Sequence, residues 1–528
     1  MPFVVRQQRL DRRVQKLNSI RRERVDNLLE ETRWKNSRRI VKRIVIQGQL
    51  VLETPTQLSN GDADGAADMS LLRDPLEGKA LLTGTSIAGA LRSYLRRREL
   101  GFRTKAGRDS LTAKLFGPHV QRTEATPGDP GDSEQSYLIT HDALGDYPET
   151  ELRDGVAINP VTRTAEDKKK YDLELLTAGT IFPLRFELLI PEADGMDVRL
   201  RRACAVALSG LENGEIRLGA RKRRGFGRCR ITAAGWSVTE YDLTKAPDLI
   251  AWLRDTGGET RTGTSIAELV DQSKAAEALD QRERFTLTAT FEPTGSLLIR
   301  SGSADPQAPD MVHLKSLRNG ALQPVLSGTS LGGALRGRGL RIAKTVGNDA
   351  DATDVIDSLF GPWINEENRN DPRAGRLWVE ETVIREPHEL VVTRVKIDRF
   401  TGGSYPGALF NQQPLFPKAE TEVVIALNVD APRSADIGLL LLLLKDLWTQ
   451  DLPLGGEASV GRGRLTGKHA MLRLRGKGGA LAEWAINQTP NGLEVEGDQN
   501  VLEEYVSAFV AQVNGRPNGR PDEEDQHV

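Results

Sequence analysis

Cysteine is nearly absent: 528 residues hold two, Cys204 and Cys229, and no CxxC pair. That argues against a disulfide framework and a zinc ribbon, so no zinc is expected and a reducing, cytoplasmic setting is. Aromatic residues make up only 5%, and the aromatic-rich signature strands of an RNA-recognition motif are missing. No apolar run approaches the roughly 20 residues of a membrane span. The most apolar one, residues 438–444, reads as buried helix, and the charged N-terminus has no apolar core of a signal peptide. No membrane partner is expected. The chain also lacks a GxxxxGK[ST] loop, which disfavours an NTPase. A net charge of −2 neither demands nor excludes nucleic acid.

What the chain has is a duplication. Residues 81–92 read LLTGTSIAGALR and residues 325–336 read VLSGTSLGGALR, with Gly84 and Gly328 lying 244 residues apart. Leu115-Phe116-Gly117-Pro118 recurs as Leu359-Phe360-Gly361-Pro362 at the same offset. Weaker matches keep the order: DMSLLRD (68–74) with DMVHLKS (310–316), VAINPVTRT (156–164) with VKIDRFTGG (395–403), and LGARKRRGFGR (218–228) with LGGEASVGRGR (454–464). The unit is a whole domain, not a solenoid repeat.

Each copy opens on period-two alternation, Ile44 to Leu52 and Phe285 to Phe291, which predicts a half-buried strand. The GTS segment predicts a helix start, with Thr85 or Ser86 and Thr329 or Ser330 as N-caps. Further helices are expected at 198–211 and 435–448. The pattern gives an α+β chain of two tandem ferredoxin-like, RRM-like domains with large insertions. The boundaries are a basic N-terminal extension (1–43), a first domain (44–245), a polar connector (246–282), a second domain (283–470) and a C-terminal extension with a disordered tail (471–528). The N-terminal 43 residues hold fourteen Lys/Arg against five Asp/Glu. Both a solvated helix and an RNA- or subunit-contacting arm fit them.

The Gly/Arg loops carry the candidate chemistry. Arg221, Lys222, Arg223 and Arg224 precede Gly225, and Arg462 and Arg464 sit in the second loop. Glycines let backbone N–H groups approach phosphate, and guanidinium forks bond it. A tight turn with a basic rim is the plainer reading. Ser86 and Ser330 lie at helix N-termini, which attract anions, with Arg92 and Arg336 about two turns inside. His313 has Leu71 as its counterpart and reads as incidental. His141-Asp142 lacks the further partners of an HD hydrolase.

A turn ending in Gly-[ST]-Ser, a Gly-Ala-Leu-Arg helix, a later Leu-Phe-Gly and a terminal Gly-rich loop resemble the RAMP-superfamily backbone subunits of type III CRISPR effector complexes, and both halves carry the set. The resemblance implies a fused double backbone subunit, a form characteristic of the D-like branch. It implies guide RNA, target RNA and other effector subunits as partners, and a thumb insertion in each domain that wedges into the guide–target duplex. The family's cleaving loop aspartate falls on Asp68 and Asp310, which implies a divalent-metal-dependent endoribonuclease with Mg2+ or Mn2+ at these two carboxylates. The thumbs fall on 156–180 and 395–416, where Lys396 and Arg399 fit the family's pattern and Asn159-Pro160 departs from it. Ala88 and Gly332 stand where the family's helix often has lysine. A non-catalytic RNA-binding scaffold and a guide-processing endoribonuclease remain the alternatives.

Overall fold

The computed structural model describes residues 38–59, 70–102, 104–118, 135–146, 150–159, 162, 164–271, 280–301, 308–318, 320–363 and 373–515. Asp68, residues 1–37 and the tail from 516 onward lie outside them.

Strand β1 (Ile40–Leu52) begins inside the stretch read as an extension. Ile44, Ile46, Leu50 and Leu52 are buried on one side, as successive strand side chains face opposite ways. There follow α1 (Gly84–Leu100), α2 (Leu111–Phe116), β2 (Leu138–Thr140), a hairpin of β3 (Thr150–Ile158) and β4 (Ala165–Leu176), then β5 (Ile181–Pro191), α3 (Met196–Glu212) and β6 (Cys229–Asp242). The sheet runs β2-β5-β1-β6 and is antiparallel throughout. With the hairpin set aside, this is the β-α-β-β-α-β order of a ferredoxin-like fold, the first and third strands lying at the centre. Helix α1 buries Ile87, Leu91, Tyr94 and Leu95, the spacing of one helical face. Cys204 and Cys229 are fully buried, and burial pushes both thiols up to about 12.

The segment after residue 245 is built onto this module. Helix α4 (Ala246–Leu253) leads to β7 (Glu259–Gly263), which pairs with β6 at the sheet edge, and α5 (Ile266–Val270) packs on α3.

The second copy repeats the plan. Strand β8 (Arg284–Pro293) leads to β9 (Met311–His313), β10 (Lys315–Arg318), β11 (Ala321–Leu326), α6 (Gly328–Val346), α7 (Asp349–Phe360) and β12 (Leu377–Val379). A hairpin of β13 (Val392–Ile397) and β14 (Ser404–Gln413) precedes β15 (Val423–Asp430), α8 (Ser434–Trp448) and β16 (Leu465–Arg475). Here too the extension belongs to the sheet: β17 (Leu481–Thr489) and β18 (Gly492–Glu496) continue it to the order β12-β15-β8-β16-β17-β18, and α9 (Gln499–Gln512) packs on α8. Among the described residues no helix is long and apolar enough to cross a membrane.

The helix caps differ from expectation. Thr83 and Ser327 cap α1 and α6, two or three residues ahead of the hydroxyls the sequence favoured. The cause is distant in sequence. A Cβ on Gly84 would lie 2.3 Å from the Thr140 carbonyl oxygen, and one on Gly328 2.7 Å from that of Val379. The glycine therefore stands inside the helix, where the neighbouring strand crosses it, and the preceding hydroxyl becomes the cap.

Candidate nucleic-acid interface

The first GTS helix and the first Gly/Arg loop meet in one cleft. About 500 Å³ in volume, it is lined by Thr83, Thr85 and Ser86 of the helix start, by Arg97, by Lys222 and by Trp378 of the second module. Ser86 is exposed, and its Oγ accepts a hydrogen bond from the Thr83 hydroxyl at 2.9 Å. Burial lowers the pKa of Lys222, and Arg97 and Arg223 push the same way. A helix N-terminus facing crowded cations is a site that an anion relieves.

Of the other loop arginines, Arg223 and Arg224 reach the second module, while Arg221 stays within the first. The Arg223 guanidinium lies 5.1 Å from the Trp378 ring centre. Arg221, at φ 52°, donates to the Tyr171 hydroxyl at 2.7 Å and stacks on its ring. Arg224 lies against the start of α6: a Cβ on Gly328 would meet the Arg224 carbonyl at 2.4 Å, and one on Gly332 its Nη1 at 3.4 Å. Burial lowers the Arg224 pKa, with Arg336 adding repulsion. Gly225, at φ 89°, is required because a Cβ would come within 2.4 Å of the Glu381 backbone nitrogen. Around this contact Glu381, fully buried, receives Arg153 and Arg318, and Glu380 receives Arg217. Asp430 accepts from Arg284 at 3.1 Å and lies 3.5 Å from Arg97. Three acidic groups of the second module thus meet Arg97, Arg153 and Arg217 of the first. Sequence reading missed these residues. The one available signal was Glu380-Glu381 standing where the first copy has His141-Asp142.

The helix arginines turn inward. Arg92 donates to the Gly117 carbonyl at 3.0 Å, and Arg336 donates to the Gly361 carbonyl and to Asp357. Each thereby ties the Ala-Leu-Arg helix to its Leu-Phe-Gly turn, which accounts for the two motifs recurring at one spacing. Burial lowers the Arg92 pKa, as does Arg96. Ser330 is half-buried in the first turn of α6.

Both hairpins stand where the thumbs were expected. Leu152, Val156 and Ile158 are exposed on the first, and Val395, Ile397, Leu409 and a fully exposed Phe400 on the second. Asp398 accepts from the Phe400 and Thr401 backbone N–H groups and shapes the tip, where Arg399 is exposed. Lys396 lies over the Tyr405 ring at 4.6 Å. Asp310 is exposed at the foot of this hairpin, its Oδ2 accepting from the Asn411 N–H at 2.8 Å. Farther along the same segment Ser316 donates to Glu151 of the first hairpin at 2.9 Å. The Asp310 segment is therefore bracketed by both hairpins. Its predicted counterpart, Asp68, lies outside the described residues.

In the second Gly/Arg loop, Arg462 is buried against Glu457 at 3.2 Å, and Arg464 donates to the Gln450 carbonyl at 2.7 Å. His313 is buried, with Nδ1 accepting from the Ile299 N–H and Nε2 bonded to the Val325 carbonyl. Burial lowers its pKa to about 4, so it is a neutral core residue. His141 pairs with Glu187, while Asp142 accepts from the Gly84 N–H. The two point to different partners and form no dyad. Among the described residues no group of three or more His, Cys, Asp or Glu is placed to hold a metal.

The RAMP superfamily profile matches residues 50–230 and again residues 290–466. The chain belongs to the RAMP superfamily, in two copies. No curated protein sequence matches the chain. Membership makes it a CRISPR-associated RNA-binding subunit, a kind of protein that works in multisubunit complexes.

Proposed function

We propose that this RAMP protein is the double backbone subunit of a type III CRISPR ribonucleoprotein of the D-like branch, binding guide RNA along both modules and cutting complementary target RNA at two positions. The observation that carries the reading is the placement of Asp310, an exposed carboxylate at the foot of one apolar-tipped hairpin on a segment that also touches the other. An apolar hairpin wedged into a guide–target duplex unstacks it locally, and a strand splayed there is drawn toward in-line attack by its own 2′-OH. Asp310 then acts as a positioning or metal-bearing group.

A single exposed carboxylate suits Mg2+ or Mn2+, which bind through one or two carboxylates together with phosphate oxygens and water. Asp310 and, in the first module, Asp68 would hold the ion, whose charge would stabilise the phosphorane. The protein's own part is to fix the strand: the cleft at Ser86 and Lys222 holds backbone phosphate, and the hairpins set the register of the bases.

The test is a reconstituted complex given end-labelled complementary RNA. Asp68→Ala and Asp310→Ala should each lose one product, and the double variant both. Unchanged products from the double variant would leave an RNA-binding scaffold. Cleavage of free repeat RNA by the isolated chain would point to guide processing instead.

A further inference from the structure

The two Gly/Arg loops share their left-handed backbone positions, Gly219, Gly225 and Gly227 matching Gly455, Gly461 and Gly463, yet one difference stands out chemically. Glu457 of the second loop occupies the place of Arg221, and both residues hold a left-handed backbone, φ 61° and 52°. Around Arg221 the first module is apolar, with Leu173 and Phe226 buried and Tyr171 packed against them. At the matching positions the second module has Gln412 and Arg462, and two further arginines join them. Glu457 lies 3.1 Å from Arg394, 3.2 Å from Arg462 and 3.3 Å from Arg300. Its Oε1 also accepts from the Gln412 amide at 2.5 Å. Burial alone would raise the Glu457 pKa, but the Gln412 bond and the arginines hold it low.

Three guanidinium groups share one carboxylate, which leaves two positive charges uncompensated in the cluster. Arg462 is 4% exposed, and its Nη1 is buried without a hydrogen-bond partner. Arg300 and Arg394 keep 49% and 31% of their side chains open to solvent. In the first module the equivalent region is closed by the second module, whereas Gly461, the counterpart of Gly225, has nothing within 4 Å of a Cβ.

Arg300 and Arg394 lie on one small sheet that also holds the strand following Asp310. Strand β9, which starts next to Asp310, pairs with Arg300–Ser301 on one side and with β14 on the other, and β14 pairs with β13, which carries Arg394. We propose that Arg300 and Arg394, pre-oriented by Glu457, bind a backbone phosphate of the RNA strand that passes Asp310. A phosphodiester accepts two guanidinium forks and would offset the surplus charge. The first module has no such clamp, because Ser59 and Gly155 stand in place of Arg300 and Arg394. The proposal rests on the RNA-binding reading, and it makes the second module the one that grips the strand harder at its candidate cutting site.

The full chain is titrated with a single-stranded RNA across a salt series, comparing wild type with Arg300→Ala/Arg394→Ala and with Arg300→Lys/Arg394→Lys. The alanine pair should reduce the slope of log affinity against log salt by about one to two, and the lysine pair should restore most of it. In the reconstituted complex the alanine pair should raise the KM for the Asp310-side product about tenfold while leaving the Asp68-side product unchanged. An unaltered slope overturns the phosphate site. So does an unaltered slope together with loss of a neighbouring subunit from the complex, which would make the cluster a protein contact. A reduced slope in a complex that cuts nothing keeps the site and removes the cleavage reading.

Discussion

The two modules share a fold and a motif order, and they part company where each Gly/Arg loop ends. The first loop is basic and closed, its Gly225 pressed against Glu381 of the second module. The second loop has the same backbone turns but is open, with Val460 59% exposed at its tip. The acceptor side has diverged to match. Glu381 is buried between two arginines, whereas Asp142, at the equivalent position, caps its own helix at Gly84. Duplication kept what each module needs internally and changed what it must meet outside.

The sharpest way to break that contrast is to remove the two equivalent carboxylates. Glu381→Ala removes the buried carboxylate that Arg153 and Arg318 share, leaving Arg153 with Glu151 and Arg318 with Ser316 and the Leu317 carbonyl, and should cost about 3–5 kcal/mol. Asp142→Ala loses one capping bond and should cost about 1 kcal/mol. Chemical denaturation of the two variants checks the difference, and equal losses would mean that the junction is not held by its ions.

His313 gives the next largest effect. Its folded pKa is about 4, against 6.5 for the free side chain. A depressed folded value means that the stabilisation is complete above pH 6.5 and is lost as pH falls toward 4, by about 3 kcal/mol over that window. The first module has Leu71 at this place, so His313→Leu should flatten the dependence. Melting temperatures between pH 7 and pH 4 read it out.

Glycine substitutions sharpen the contrast at the loops. Gly225→Ala and Gly461→Ala carry similar backbone strain at φ 89° and 88°, worth about 1 kcal/mol each. Only Gly225→Ala also collides with Glu381, adding about 1–3 kcal/mol. The smallest difference is expected between Arg92→Ala and Arg336→Ala. Both lose a bond to a turn carbonyl, about 1 kcal/mol. Arg336→Ala should lose slightly more, because it also releases Asp357, whose partly buried carboxyl its charge stabilises.

What could be read in the sequence followed the range of the forces involved. The duplication, the opening strands, the GTS helices and the ferredoxin-like order rest on local pattern and repetition, and the structure has all of them. The caps were misplaced by two or three residues because the position of Gly84 depends on Thr140, far along the chain. Arg92 and Arg336 looked like anion ligands by their place in the helix. Only the fold shows that their guanidinium groups reach the Gly117 and Gly361 carbonyls. The junction was invisible for the same reason: Arg153 and Glu381 lie 228 residues apart in sequence. Lys222 and Ser86 were found separately, and the structure brings them into one cleft.

The central claim is that the chain binds one guide RNA along both of its modules. Hydroxyl-radical footprinting of that guide on the full chain tests it most directly. The account predicts two protected stretches at a fixed spacing, with Lys222→Ala weakening only the one held by the first module. A single protected stretch, or two that weaken together in Lys222→Ala, would contradict it.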